Sequence, residues 1–374
     1  VLSSFTGSAA PGFTGTEGGV KARLALANAN GEVAGHKLTY ILADDQSTTQ
    51  GAQAAMSKLI LQDHVSAVIQ ESSFFYGAYQ VAVKAKVPVF GSSFDACPCW
   101  GNKDYTNLFD VNGTGDYSLV PTTMGTLAKT LGVTKFGGLS YEGSPSSILF
   151  LKEWIASAQA AGLQTGYSSR VPFGSTDTGP FVLGVKNSGT DGIYLPVIAS
   201  TAFAVLSAVQ QQGMKLKASL LGTGYGADLL DNKTALQTAQ GAYIALSTEP
   251  IELKSAGTVK MMDALNKYVN QPIDVAPSFS MGQAWLATDA LVWALVNAKS
   301  DLSPANIISV NRAGKWDAAG LMHPLDFSSY GQLAGNLGPD NCLWVVQVSG
   351  SKFVPVDGLS PVCGTIIAGQ KVSN

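Results

Sequence analysis

An apolar strand that runs into a small-residue turn and then into a helix occurs twice in quick succession. This repeat confines the chain to a parallel α/β design. The first copy is Val65-Ser-Ala-Val-Ile69, then Gln70-Glu-Ser-Ser73, then Phe74-Phe-Tyr-Gly-Ala-Tyr79. The second is Val87-Pro-Val-Phe90 followed by Gly91-Ser-Ser-Phe-Asp95. Two neighbouring turns at strand C-termini gather backbone N–H groups and serine hydroxyls, a setting suited to a small anion such as a carboxylate. No other cluster in the sequence gathers convergent chemistry, so the chain is expected to hold a molecule rather than transform it.

Composition narrows the class. The 374 residues suffice for two domains, and 46% hydrophobic content supplies large cores. Only 13% of residues are charged and the net charge is −3, with no basic run. That balance argues against nucleic acid and anionic membrane as partners. No apolar stretch reaches the roughly 18 residues of a membrane span. The opening Val1-Leu-Ser-Ser reads as the end of a strand, so an upstream segment such as a signal peptide is expected.

Four cysteines form a close pair, Cys97 and Cys99, and a C-terminal pair, Cys342 and Cys363. The even count in two clusters suits disulfides and an oxidising compartment. Leu343–Val348 and Phe353–Val356 flank a Ser-Gly-Ser turn and read as a hairpin, and Asp357–Val362 can return Cys363 to Cys342. Pairing of Cys97 with Cys99 stays open. The spacing is not that of a zinc site, and His36, His64 and His323 are scattered, so neither metal nor cofactor is expected. There is no G-x-S-x-G and no His–carboxylate or Cys–His pair in a recognised setting, so an enzyme is not expected. The Gly222-Thr-Gly-Tyr-Gly226 turn lacks the glycine spacing of a dinucleotide loop.

Strands and helices alternate through most of the chain. Helices are expected over Thr14–Asn30, Thr48–Gln62, Asp116–Leu131 and Ser146–Ala161, and strands over Lys37–Ala43, Lys135–Tyr141, Gly192–Leu195 and Ala218–Leu221. Ser278–Ala298 is apolar on nearly all sides and reads as a buried helix. Asn112-Gly-Thr-Gly115 and Ser247-Thr-Glu-Pro250 form seams in the pattern.

Several segments, in order and spacing, resemble the type I periplasmic binding proteins, specifically the leucine/isoleucine/valine-binding family of ABC-transporter receptors. They are Val1-Leu-Ser-Ser-Phe-Thr-Gly-Ser8, Gly18–Asn28, Gly35–Asp45, Val68-Ile-Gln-Glu-Ser-Ser73 and Val87-Pro-Val-Phe-Gly-Ser-Ser93. The resemblance implies two doubly wound parallel-sheet lobes joined by three crossover hinges. One lobe is expected to hold residues 1–112 and 249–328, the other 113–248 and 329–374. Hinges are expected near Val111–Thr114, Thr248–Pro250 and Phe327–Gly335. It implies an extracytoplasmic monomer, periplasmic or lipid-anchored, that closes on a small carboxylate-bearing ligand for delivery to the permease of an ABC importer.

The resemblance also marks a site. Ser72 and Ser73 match the place where a family serine holds the ligand carboxylate; the plainer alternative is a helix cap. Ser93 matches a position whose backbone binds ligand, and Asp95 matches a threonine that helps with the amine; a capping loop residue is the alternative for Asp95. Phe13 and Phe74 are expected as pocket walls, with Phe75 in the core. Strand-end residues Ser144, Ser146, Ile198, Ser200 and Tyr225 are expected from the second lobe. One departure matters. Amino-acid binders carry a carboxylate where this chain has Gly224, and a buried ammonium without an anion is costly. The ligand is expected to be a hydrophobic or branched-chain amino acid with Asp95 or Glu71 supplying the charge. An aromatic or other hydrophobic acid without an ammonium is the alternative, and a ligand sensor without transport a remoter one.

Overall fold

Five short strands of the first 110 residues lie side by side and all parallel: β1 (Leu2–Ser3), β2 (Ala43–Asp44), β3 (Val68–Glu71), β4 (Val89–Gly91) and β5 (Leu108–Asp110). Their order is β2-β1-β3-β4-β5. This computed structural model describes residues 1–93, 95–113, 116–329 and 337–373, with the backbone alone at residues 228 and 329. It divides into two units, residues 1–116 with 254–339 and residues 117–253 with 340–374. These units change over at 116/117, 253/254 and 339/340, where lobe boundaries are expected from the sequence at 112, 248 and 328. Of the expected hinges, Thr114 and residues 330–335 lie outside the described residues.

In the first unit, helices cover both faces of the sheet, so β3, β4 and β5 are buried along their whole lengths. Thr49–Leu61 and Tyr79–Ala85 lie on one face over a core that includes Met56, Leu59, Val68, Phe75, Val89, Trp100 and Leu108. Thr48 starts the first of these helices, its Oγ1 accepting the Gly51 N–H at 2.9 Å. Thr16–Asn30 packs on Phe279–Ala298. The approach is close enough that a Cβ at Gly19 would stand 2.2 Å from the Met281 carbonyl oxygen. Arg23 crosses this contact to Asp289.

In the second unit, β6 (Leu119–Pro121) pairs antiparallel with Ile366–Lys371. The main sheet holds β7 (Lys135–Tyr141), β8 (Gln164–Val171), β9 (Gly192–Leu195), β10 (Ala218–Leu221) and β11 (Tyr243–Leu246). These run parallel in the order β11-β10-β9-β7-β8. Cys342–Ser349 adds antiparallel to β11, and Lys352–Pro355 adds to it in turn as the expected hairpin. Val362–Cys363 returns to pair Cys363 with Cys342, and a disulfide joins them. A second disulfide joins Cys97 and Cys99.

Three expectations need correction. The strand expected over Lys37–Ala43 contracts to Ala43–Asp44, because β1 offers only Leu2 and Ser3 as ladder partners on this edge. The helix expected over Asp116–Leu131 is β6 followed by the shorter helix Thr123–Thr130; the strand exists through its pairing with the distant Ile366–Lys371. The strand β3 also extends through Gln70 and Glu71, and no α-helix starts at Ser73. A single 3-10 turn, Phe75–Gly77, comes first.

Candidate functional site

The first unit's strand order reverses direction between β1 and β3, and parallel sheets open a crevice beyond the strand C-termini at such a point. The loop after β1 leads to the short helix Ala10–Phe13, whose Phe13 is 4% exposed. The turn after β3 presents Ser72, Ser73 and Phe74.

The two serines do different work. Ser72 is buried and its Oγ donates to Asp45 Oδ2, while the Phe74 N–H donates to Ser72 Oγ at 3.0 Å. Asp45 also takes the Ser4 hydroxyl at 3.0 Å and the Ser47 N–H at 2.7 Å. Burial pushes the Asp45 carboxyl above its ordinary value, against the pull of these donors. The one hydroxyl proton of Ser72 is therefore committed inside the protein. Ser72, expected to offer it to a ligand carboxylate, instead ties the β3 turn to Asp45 in this structure. Ser73 is half-buried, and among the described residues its side chain has no hydrogen-bond partner. Phe74 beside it is half-buried against the core, and Phe75 is core, as expected. Asp44 ties the β1 loop in place, accepting from Phe5 and Thr6 N–H groups at 2.9 and 3.1 Å. Burial opposes its ionisation, yet the donors Thr6, Gln46 and Phe5 hold its carboxyl below the ordinary value.

After β4, Ser93 Oγ donates to Asp110 Oδ2 at 2.7 Å. Asp95 is 1% exposed; its Oδ1 accepts from Trp100 Nε1 at 2.9 Å and the Cys97 N–H at 3.3 Å. Its Oδ2 is buried without a partner among the described residues, and burial pushes the carboxyl up to about 7. Sealed in this way, Asp95 presents no surface to an ammonium, contrary to the role expected for it. Glu71 is likewise fully buried, with Ser92 Oγ 3.4 Å from its Oε1, and burial raises it well above the ordinary range.

The second unit carries its own strand-end cluster. Ser144 caps the helix Pro145–Ala160, and its Oγ stands 3.2 Å from that of Ser146. Tyr141 closes β7 with its hydroxyl against the loop after the neighbouring β9. It accepts the Ile198 N–H at 3.2 Å and meets Thr201 Oγ1 at 2.7 Å. Thr201 gives its own proton to the Ser175 carbonyl, so Tyr141 is the donor to Thr201. Ile198 is half-buried and Ser200 exposed at the start of Ala199–Gln211. Gly224 has φ +94°, and a Cβ there would stand 3.0 Å from the Phe203 ring, which explains the missing acid: the turn demands glycine. Tyr225 is not a free wall. Its hydroxyl donates to Glu252 Oε2 at 2.6 Å and accepts the Ile251 N–H at 2.9 Å, and its ring packs on Phe353.

Sequence reasoning missed Tyr141, Trp100 and Glu249. Glu249, just beyond β11, is half-buried, and its Oε2 is buried with no partner among the described residues. Its only signal in the sequence is the Ser247–Pro250 seam, which by itself points to a hinge.

A family model described as periplasmic binding protein matches residues 1–352. No curated protein sequence matches the chain significantly. Solved structures of the same fold are numerous. One is an ABC-transporter solute-binding protein of R. palustris in complex with benzoate, 14% identical with a TM-score of 0.76; the match covers 100% of this chain and 96% of that one. Another is a branched-chain amino acid ABC transporter protein of Thermus thermophilus with bound valine, 16% identical, TM-score 0.78, covering 96% and 94%. A third is LivJ of Streptococcus pneumoniae in complex with isoleucine, 17% identical, TM-score 0.74, covering 99% and 98%.

Proposed function

The chain belongs to the periplasmic binding protein family, and from that premise we propose that it captures a small hydrophobic carboxylic acid outside the cytoplasm for an ABC importer. The observation that carries the ligand class is the pairing of Ser73 with Phe74 at the β1/β3 crevice. A hydroxyl with no protein partner among the described residues stands beside a half-buried aromatic ring. The hydroxyl suits a carboxylate and the ring an apolar body. Two disulfides accord with the compartment. No described helix is long and apolar enough to cross a membrane.

A ligand without an ammonium fits this edge best. Asp45, Asp95 and Asp110 are buried and take protein donors, and Gly224 replaces the family's acid. The benzoate complex of similar fold is in keeping with that choice. A hydrophobic amino acid is the second reading, favoured by one observation: the unpartnered Glu249 Oε2 at the strand ends of the second unit. The valine and isoleucine complexes are in keeping with it.

Thermal unfolding of the full chain with benzoate, valine or isoleucine separates the two. A ligand at a hundred times its Kd stabilises by about 2.7 kcal/mol. Benzoate is expected to raise Tm, and valine and isoleucine to leave it unchanged. Stabilisation by the amino acids alone would reverse the assignment and direct attention to Glu249.

A further inference from the structure

The loop after β4 contains a device that capture of a carboxylate does not by itself require. Cys97 and Cys99 are bonded to each other and each is 3% exposed. The Cys99 N–H donates to Cys97 Sγ at 3.3 Å, and Ala96 before them sits at φ +47°. Trp100 follows directly and is fully buried. Its indole N–H donates to Asp95 Oδ1 at 2.9 Å, and its ring lies 4.9 Å from that of Phe75. Asp95 belongs to the turn after β4 and Phe75 to the turn after β3. One side chain therefore touches both turns of this edge, and the short ring of the disulfide limits where its backbone can go.

We propose that Trp100, held by the Cys97–Cys99 bridge, is a positioning residue that fixes the Ser73–Phe74 turn for ligand. This rests on the reading that the Ser73–Phe74 turn takes the carboxylate. Phe75 follows Phe74 directly, so any movement of the Trp100 ring passes into the binding turn through one peptide unit. The indole N–H sets the ring's angle, because Asp95 is itself held by the Cys97 N–H at 3.3 Å.

The test uses the full chain with Trp100→Phe, which keeps a ring and loses the donor, and with the double variant Cys97→Ser/Cys99→Ser. Amide hydrogen exchange is read over residues 72–78 and, as a control in the same unit, over the helix at residues 16–30; benzoate affinity is read by calorimetry. Trp100→Phe is expected to speed exchange at 72–78 roughly tenfold, as loss of one buried hydrogen bond implies, and the double variant to speed it in the same direction by freeing the backbone before Trp100. The control helix should stay unchanged, and benzoate affinity should fall about as much. Unchanged exchange at 72–78 in both variants would overturn the proposal. Equal acceleration across both segments would overturn it too, since Trp100 would then be simple core. If the unmutated chain binds no benzoate, the ligand reading fails, while the exchange comparison still decides the role of Trp100.

Discussion

Replacing Ser72 and Ser73 by alanine, one at a time, separates the latch from the ligand group. Ser72→Ala removes a hydroxyl that donates to the buried Asp45 carboxylate and accepts the Phe74 N–H. Hydrogen bonds to charged groups contribute about 1.5–3 kcal/mol. Asp45 keeps Ser4 Oγ at 3.0 Å and the Ser47 N–H at 2.7 Å, so its charge is not orphaned. The loss should therefore lie near the lower end, about 2 kcal/mol. Ser73→Ala breaks no side-chain hydrogen bond to the described residues, so its stability should stay within about 0.5 kcal/mol. Its affinity for a carboxylate should fall by about one to two decades, because the lost bond is charge-assisted. Urea unfolding of both variants, with calorimetric titration by benzoate, gives the two quantities independently. Normal stability with abolished binding in Ser72→Ala would refute the latch. Normal binding in Ser73→Ala would refute the placement of the carboxylate.

Further outcomes follow from the same contacts. Asp289→Asn should cost about 3–5 kcal/mol in urea unfolding, because it weakens the buried ion pair with Arg23, 2.5 Å away, and the acceptor of Trp316 Nε1 at 3.0 Å. Asp95 should make the protein less stable as pH rises. Its carboxyl moves from an ordinary 3.8 to about 7 on folding, so the folded state binds the extra proton between those values, and stability falls with rising pH across that window. Asp95→Asn should therefore gain on the unmutated chain as pH rises towards 7 and then level off, as denaturant titrations at several pH values would show. Removing the Cys342–Cys363 bridge by double serine substitution should lower stability by about 3 kcal/mol by chain-entropy reasoning, measured against the oxidised protein.

Local signals made much of this protein legible before its structure. Apolar runs such as Val89-Phe90 mark strands buried on both faces, and Thr48 marks a helix start through its own hydroxyl. Cys342 and Cys363 announced their bond through a hairpin and a short return, all within one stretch of chain. Each of these depends on neighbours a few residues away or on a short loop, so the amino-acid order alone determines it. The direction of a polar side chain does not work that way. Ser72 turns to Asp45, Tyr225 to Glu252 and Ser93 to Asp110, each partner supplied by a different element. The strand β6 likewise exists only because Ile366–Lys371 comes back to pair with it. A hydroxyl can cap, latch or bind, and its type and spacing are the same in all three. Only tertiary packing, by bringing one particular acceptor within hydrogen-bond reach and excluding water from it, decided that Ser72 is a latch and left Ser73 beside it without a protein partner among the described residues.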